Sequence, residues 1–328
     1  MAVYTRVDEN ELNAFLADYD LGRATSFSGI TEGVENSNYR LSTTEGEFIL
    51  TLYEKRVNTD DLPFFVDLMA HMADHSITCP QPVADRNGVV LKTLNGRSAA
   101  IFTFLNGTSN NSPPAARCYS AGQILARMHR AGADFSGTRA NALDHLAWGP
   151  LLAQSDKGVV DYGADNLPQD LTARARARLD DTLARWPDDL PRGVIHADLF
   201  PDNVLFVGDD VTGVIDFYFA CQDFLAYDLA IMMNAWCFEA DGSFNVTKSR
   251  ELVNGYQSER RLSADEINAL PILCRGSAMR FFLTRLYDWI HTPKDAQVRP
   301  HDPMAYWTRL NFHHNVDSPS AYGIKAPS

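Results

Sequence analysis

The chain has 328 residues, 45% apolar and 11% aromatic, and its 29 Lys and Arg against 42 Asp and Glu leave a formal charge of −13. That balance argues against a nucleic-acid partner, because displacing condensed counterions needs a basic surface. The apolar content excludes a disordered chain, and at roughly 100–200 residues per domain it predicts two domains or lobes with full-sized cores. Cys79, Cys118, Cys221, Cys237 and Cys274 are far apart and form no C-x-x-C pair, so reduced, partly buried thiols are expected rather than a zinc knuckle or a disulfide framework. The opening MAVYTRVDENEL lacks the basic-then-apolar order of a secretory leader, and no run approaches the ~18 apolar residues of a membrane span. A soluble cytoplasmic protein without a membrane partner is the expectation; oligomeric state is not legible.

Leu12, Phe15, Leu16 and Tyr19 recur at helical spacing and predict a short amphipathic helix over Asp8 to Tyr19. Thr25 to Leu52 reads as an antiparallel meander with a turn at Thr43 to Gly46. Leu62 to Ala73 predicts a helix stopped by Cys79-Pro-Gln-Pro82, and Val89 to Leu91 and Ala99 to Leu105 read as two strands around the Asn95-Gly96 turn. Turn formers from Asn106 to Pro114 mark a boundary, which divides the chain into lobes 1–105 and 106–328. Helices are predicted around Ala121 to Met128, then at Leu146–Leu152, Leu171–Trp186, Leu225–Phe238, Ser249–Gln257, Ala264–Trp289 and Pro303–Phe312. A β segment interrupts them, with strands at Val194–Ile195, Val204–Val207 and Val211–Ile215.

That segment carries the chemistry. In Ile195-His-Ala-Asp-Leu-Phe-Pro-Asp-Asn203, Asp198 and Asn203 are five residues apart, and a hairpin returns Asp216 of Ile215-Asp-Phe217 beside them. Either Asp alone would read as a turn or cap residue. Together they match what phosphoryl transfer needs: Asp198 to accept or orient an attacking hydroxyl, Asn203 and Asp216 to hold magnesium against nucleotide phosphates. His196 reads as a structural hydrogen-bonding residue that shapes the loop, not as a general base.

The H-x-D-x-x-x-x-N spacing resembles the catalytic loop of protein kinases. Ala197 and the Asp216-Phe-Tyr218 sequence look more like the aminoglycoside phosphotransferase and choline kinase superfamily. The resemblance implies an α+β, bilobal protein kinase-like fold with a small β-sheet lobe, a larger helical lobe, and ATP with Mg2+ between them. On that fold the loop bearing Gly29, Gly33, Asn36, Ser37 and Asn38 would cover the phosphates, its glycines allowing amides to approach phosphate oxygens. The segment Phe102 to Leu105 would be the hinge, with Thr103 and Leu105 at the adenine and Phe102 and Leu105 as apolar walls. The superfamily usually places Lys or Arg on the next strand. Here Thr51 holds that position, so Lys55 or Arg56 would reach back from the strand end, or the loop amides would carry more of the phosphate interaction.

Across nearly the whole chain, Gly29 to Tyr39, the lysine-less Phe48 to Glu54, His196 to Asn203 and Ile215 to Cys221 look like the homoserine kinases of this superfamily. That resemblance implies L-homoserine as the phosphoryl acceptor. A zwitterionic alcohol needs a cation for its carboxylate and an anion for its ammonium. Arg280 and Arg285 are the candidate cations; five residues apart, they diverge by roughly 140° on a helix, so at most one faces the pocket. Asp223 is the candidate anion, Tyr218 a candidate for the alcohol site, and Asp228 resembles a residue that braces the catalytic loop. Spacing alone leaves other acceptors open, among them choline or ethanolamine, an aminoglycoside and methylthioribose, as well as a non-catalytic ATP-binding module. His71 and His75 have metal-ligand spacing without a third ligand in the sequence nearby and read as exposed helix residues.

Overall fold

The computed structural model describes residues 4–30, 36–54, 58–162, 167–292 and 300–325. A capping box between Asp8 and Glu11 starts α1 (Glu9–Leu16). Leu12, Phe15 and Leu16, with Tyr19 and Leu21 just beyond, bury onto one face of an antiparallel sheet. The expected meander supplies β1 (Ala24–Gly29), β2 (Ser37–Thr43) and β3 (Glu47–Leu52). After α2 (Leu62–Asp74) come β4 (Pro82–Val83), β5 (Lys92–Leu94) and β6 (Arg97–Thr103), in the order β1-β2-β3-β6-β4 with β5 on β6. The strand expected at Val89–Leu91 lies three residues later, at Lys92–Leu94, because the Asp85 carboxylate gathers the amides of Asn87 and Val89 into a turn.

Side chains alternate across the sheet. Leu50 and Leu52 of β3 pack beneath α1, while Tyr53, Ala100 and Phe102 join α2 in a second core on the other face. That core continues through the helical remainder of the chain, so the sheet and the helices are not separately packed bodies.

The remainder begins with α3 (Ala115–Ala131), α4 (His145–Tyr162) and α5 (Leu171–Leu183). Strand β7 (Arg192–Ile195) pairs with β10 (Cys221–Phe224), and β8 (Val204–Val207) with β9 (Asp210–Val214), all antiparallel. Then follow α6 (Leu225–Trp236), α7 (Val246–Glu259), α8 (Ala264–His291) and α9 (Met304–His314). Helices α3 and α7 touch backbone to backbone: a Cβ on Gly122 would lie 2.0 Å from the Leu252 carbonyl oxygen, and one on Gly255 1.9 Å from that of Tyr119. The connection after β6 is fastened to the β8–β9 hairpin, with Thr108 and Phe206 exchanging backbone hydrogen bonds and Thr212 Oγ1 donating to the Asn106 carbonyl. All five cysteines are free and buried. No helix among the described residues is long and apolar enough to cross a membrane.

Candidate active site

Between β7 and β8 the chain must turn Asp198 out of the core, and it does so with Ala197 at φ +62°, a left-handed conformation rare for alanine. Both flanking peptide groups are held by charged side chains. The Ala197 amide donates to Asp228 Oδ1 (2.9 Å), and its carbonyl accepts from Arg280 Nη1 (2.6 Å). Trp236 Nε1 then donates to the Leu199 carbonyl (2.8 Å).

Asp228 is fully buried on α6 and also accepts the His196 amide (2.7 Å) and His129 Nε2 (3.1 Å). Burial pushes this carboxylate up, but the His129 hydrogen bond and the His129 and His196 interactions outweigh it and leave Asp228 below its usual range. Donors behind it run in one direction. Arg260 Nη1 can only donate to the Tyr256 hydroxyl (3.0 Å), so that hydroxyl donates to His129 Nδ1 (2.8 Å) and His129 Nε2 to Asp228.

His196 links the segment of Asp198 to that of Asp216. Its Nδ1 accepts from the Asp198 amide (3.2 Å), and its Nε2 donates to the Ile215 carbonyl (3.0 Å), next to Asp216. One ring nitrogen accepting and the other donating defines a neutral imidazole, and burial holds its pKa below the usual range. Such a ring supports the loop and is not placed to serve as a base.

Asn203 Nδ2 donates to the Asp198 carbonyl (2.8 Å), and the Ile215 amide donates to the Asn203 carbonyl (3.0 Å). Anchoring the amide by its nitrogen leaves Oδ1 without a hydrogen bond among the described residues. Asp216, at φ +66°, presents an exposed carboxylate at the end of the same hairpin. A neutral amide oxygen beside a carboxylate is a donor set for a hard, oxygen-seeking cation, so these residues fit magnesium.

On the sheet side the expectations divide. Gly33, Lys55 and Arg56 lie outside the described residues. Gly29 ends β1 and is exposed. Asn36 is buried, its Oδ1 taking the Glu54 amide (3.3 Å). Ser37 is turned away from any phosphate: its hydroxyl is fully buried, donates to Glu54 Oε1 (2.7 Å) and accepts the amides of Tyr4 and Thr5. Asn38 Oδ1 accepts from Thr51 Oγ1 (2.8 Å), so the position where a lysine was expected is a closed, neutral pair. Thr103 pairs with Gln81 through its amide and its Oγ1, both at 2.9 Å. Leu105 covers Gly213 of β9, where a Cβ would meet it at 2.7 Å. Phe102 is only 2% exposed and belongs to the core, so it is no adenine wall.

The acceptor-side candidates are also redistributed. Tyr218 packs edge-on against Tyr53 and Phe65, and its hydroxyl meets that of Tyr53 at 3.2 Å, which makes it a tie between sheet and hairpin rather than an alcohol site. Asp223 is saturated by Asn141 Nδ2 (2.7 Å), Arg192 Nη2 (3.2 Å) and the Phe224 amide (2.8 Å), so it is closed to a substrate ammonium. Arg280 is buried and committed to the Ala197 carbonyl. Arg285 alone keeps an uncommitted guanidinium; among the described residues it makes no ion pair.

The sequence reading missed His129, although its place four residues after Leu125 puts it on the buried face of α3. It also found no partner for His313, which is buried between the Tyr322 hydroxyl (2.8 Å) and Asn234 Oδ1 (3.0 Å). Asp134 lies 3.2 Å from His71 and 3.6 Å from His75, the third group the sequence did not offer. His71 Nε2 and His75 Nδ1 are already bonded to the carbonyls of Ala131 and His71, so a metal is not needed to explain the trio.

The model of the phosphotransferase enzyme family matches residues 26–262. The homoserine kinase of Sinorhizobium fredii is 54% identical over 325 residues, spanning 99% of this chain and 98% of that one. The homoserine kinase of Acidiphilium cryptum is 56% identical over 325 residues, 99% of this chain and 100% of that one. Among solved structures, an amicoumacin kinase in complex with AMP-PNP, Ca2+ and Ami shares the fold with a TM-score of 0.70 at 15% identity, over 95% of this chain and 96% of that one. With this fold, this site and these relatives, the chain belongs to the phosphotransferase enzyme family and to its homoserine kinases.

Proposed function

We propose that the protein transfers the γ-phosphoryl group of ATP to the side-chain hydroxyl of L-homoserine, giving ADP and O-phospho-L-homoserine on the cytoplasmic route to threonine. The observation that carries this reading is the set Asp198, Asn203 and Asp216, tied together by His196 in a chain that matches homoserine kinases along its length.

In this reading Asp198 accepts a hydrogen bond from the acceptor hydroxyl and takes its proton as the oxygen bonds to the γ-phosphorus. The bond from that phosphorus to the β,γ-bridging oxygen breaks, and ADP leaves with the electron pair. Asn203 Oδ1 and Asp216 would hold magnesium, which when bound neutralises charge on the phosphates. Residues 1–105 would form the nucleotide lobe, with adenine near Thr103 and Leu105, Gly29 and the loop after it over the phosphates, and Lys55 as their basic partner. Residues 106–328 would supply the catalytic loop and the acceptor site.

Asp198→Asn should lower kcat by about 10²–10⁴-fold while calorimetric ATP affinity holds. Near-normal turnover would overturn the assignment of Asp198. A coupled assay across homoserine, choline, kanamycin and methylthioribose tests the acceptor; faster turnover of any of the last three would replace homoserine.

A further inference from the structure

Arg285 of α8 and Arg309 of α9 each bring a guanidinium carbon to 4.4 Å from the ring centre of Tyr306. Two cations therefore share one small space between the helices, and both are half-buried. Five other buried or half-buried arginines, Arg97, Arg117, Arg139, Arg260 and Arg275, each have a carboxylate within 3.4 Å, and Arg280 has the Ala197 carbonyl. Among the described residues neither Arg285 nor Arg309 has such a carboxylate, and the only acceptor Arg309 approaches is the Tyr306 hydroxyl.

Tyr306 adds a second sign. It is fully buried, and its hydroxyl completes no hydrogen bond. An orphaned buried hydroxyl is costly unless something meets it. The cluster adjoins the catalytic loop: Phe200, two residues after Asp198, packs on Phe281 (5.0 Å between ring centres), and Phe281 packs on Tyr306 (5.1 Å). Burial pushes the Arg285 guanidinium below its usual range and the Tyr306 hydroxyl above its own, and the charge of Asp198 reaches both groups. Arg309 repels Arg285 and helps hold it down.

Two half-buried cations and one unmet hydroxyl beside an attacking-group site are complementary to a carboxylate on the molecule being attacked. In an α-amino acid alcohol of homoserine's length, four bonds separate the hydroxyl oxygen from the carboxylate carbon. We propose that Arg285 and Arg309, with the Tyr306 hydroxyl beside them, bind the carboxylate of the acceptor while its hydroxyl lies against Asp198. This rests on the amino-acid kinase reading above. Arg280, the other candidate in the sequence, is excluded because the Ala197 carbonyl already holds it.

The test compares L-homoserine with 3-aminopropan-1-ol, the same chain without its carboxylate, in wild type and in Arg285→Met, Arg309→Met, Arg309→Lys and Tyr306→Phe. A site built around a charged group discriminates strongly against the analogue that lacks it. Each Arg→Met change should cut kcat/KM for homoserine about 100-fold and leave 3-aminopropan-1-ol within about threefold. Arg309→Lys should recover part of the loss. Tyr306→Phe removes only the hydroxyl, so it should fold as wild type and raise KM for homoserine by about tenfold. Parallel losses on both acceptors would overturn the proposal in favour of a structural role. A raised KM for ATP with that for homoserine unchanged would assign the cluster to nucleotide phosphate and also overturn it. Wild-type protein inert towards homoserine would remove the kinase reading and this one together; active wild type with unaltered discrimination in the variants would remove this one alone.

Discussion

Asp228→Asn is the most informative single change, because the substitution keeps shape and removes charge from a group that touches no substrate. The carboxylate receives three donors, the amides of His196 and Ala197 and His129 Nε2, at 2.7, 2.9 and 3.1 Å. An asparagine offers one acceptor oxygen, so at least one donor would face an NH2 group. Charge-assisted bonds are worth about 1.5–3 kcal/mol each, so losing one of the three and weakening the other two costs about 3–5 kcal/mol. At an unfolding entropy of about 2.1 cal/mol/K per residue, a chain of this length should lose about 4–7 °C in Tm. The displaced amides flank Asp198, so kcat should fall by about 10²-fold through lost alignment, with the KM for ATP less affected. Calorimetric melting at pH 7 and steady-state kinetics measure both. A variant within 1 °C of wild type, or one that melts early with kcat intact, would refute the claim that this carboxylate sets the geometry of the catalytic loop.

Gly255→Ala should destabilise by about 2–3 kcal/mol in chemical denaturation although alanine favours helix, since its Cβ would meet the Tyr119 carbonyl oxygen at 1.9 Å and neither backbone can yield; unchanged stability would show that the α3–α7 contact is looser than described. Acidification gives the last prediction. Burial, with the charges of Arg275 and Arg309, lowers His313 to about 3 against an ordinary 6.5, and His196 is lowered in the same direction. Below pH 6.5 the unfolded chain takes up protons that the folded chain refuses, so the stability these residues give at neutral pH is progressively lost as pH falls from about 6.5 towards 3. Tm should drop between pH 7 and 5, before most carboxylates titrate; a flat profile there would refute the assignment.

What was legible in the sequence was what lies close along the chain. Asp198, Asn203 and Asp216 stand on one loop and one hairpin, so spacing places them without tertiary information. The periodicity of Leu12, Phe15 and Leu16 fixes α1 for the same reason. Ser37 misled because a small polar residue beside a glycine loop suggests a phosphate contact, whereas the folded N-terminal segment brings the amides of Tyr4 and Thr5 onto its hydroxyl. Tyr218 and Asp223 misled similarly, their partners being the distant Tyr53, Asn141 and Arg192. The roughly 140° divergence of Arg280 and Arg285 separates their surroundings, and only the fold shows that Arg280 is held by the Ala197 carbonyl. Arg309 and Tyr306 had no signal, because their significance comes from the packing of α9 on α8 and the catalytic loop.

The two left-handed residues explain why so much buried charge surrounds this loop. Ala197 and Asp216 sit at φ +62° and +66°, where backbone strain costs about 1–3 kcal/mol each. Aspartate tolerates that region through its short polar side chain; alanine has no such help. Its neighbouring peptide groups instead meet an anion on one side and a cation on the other, Asp228 and Arg280. Two charge-assisted bonds of about 1.5–3 kcal/mol are enough to offset the strain. Every brace comes from the helical side: His129 from α3, Asp228 and Trp236 from α6, Arg280 from α8. The sheet reaches this machinery chiefly through Tyr53 against Tyr218. The strained loop before Asp198 is thus braced mainly by the helical packing, and the contact of Tyr53 with Tyr218 couples it to the sheet side.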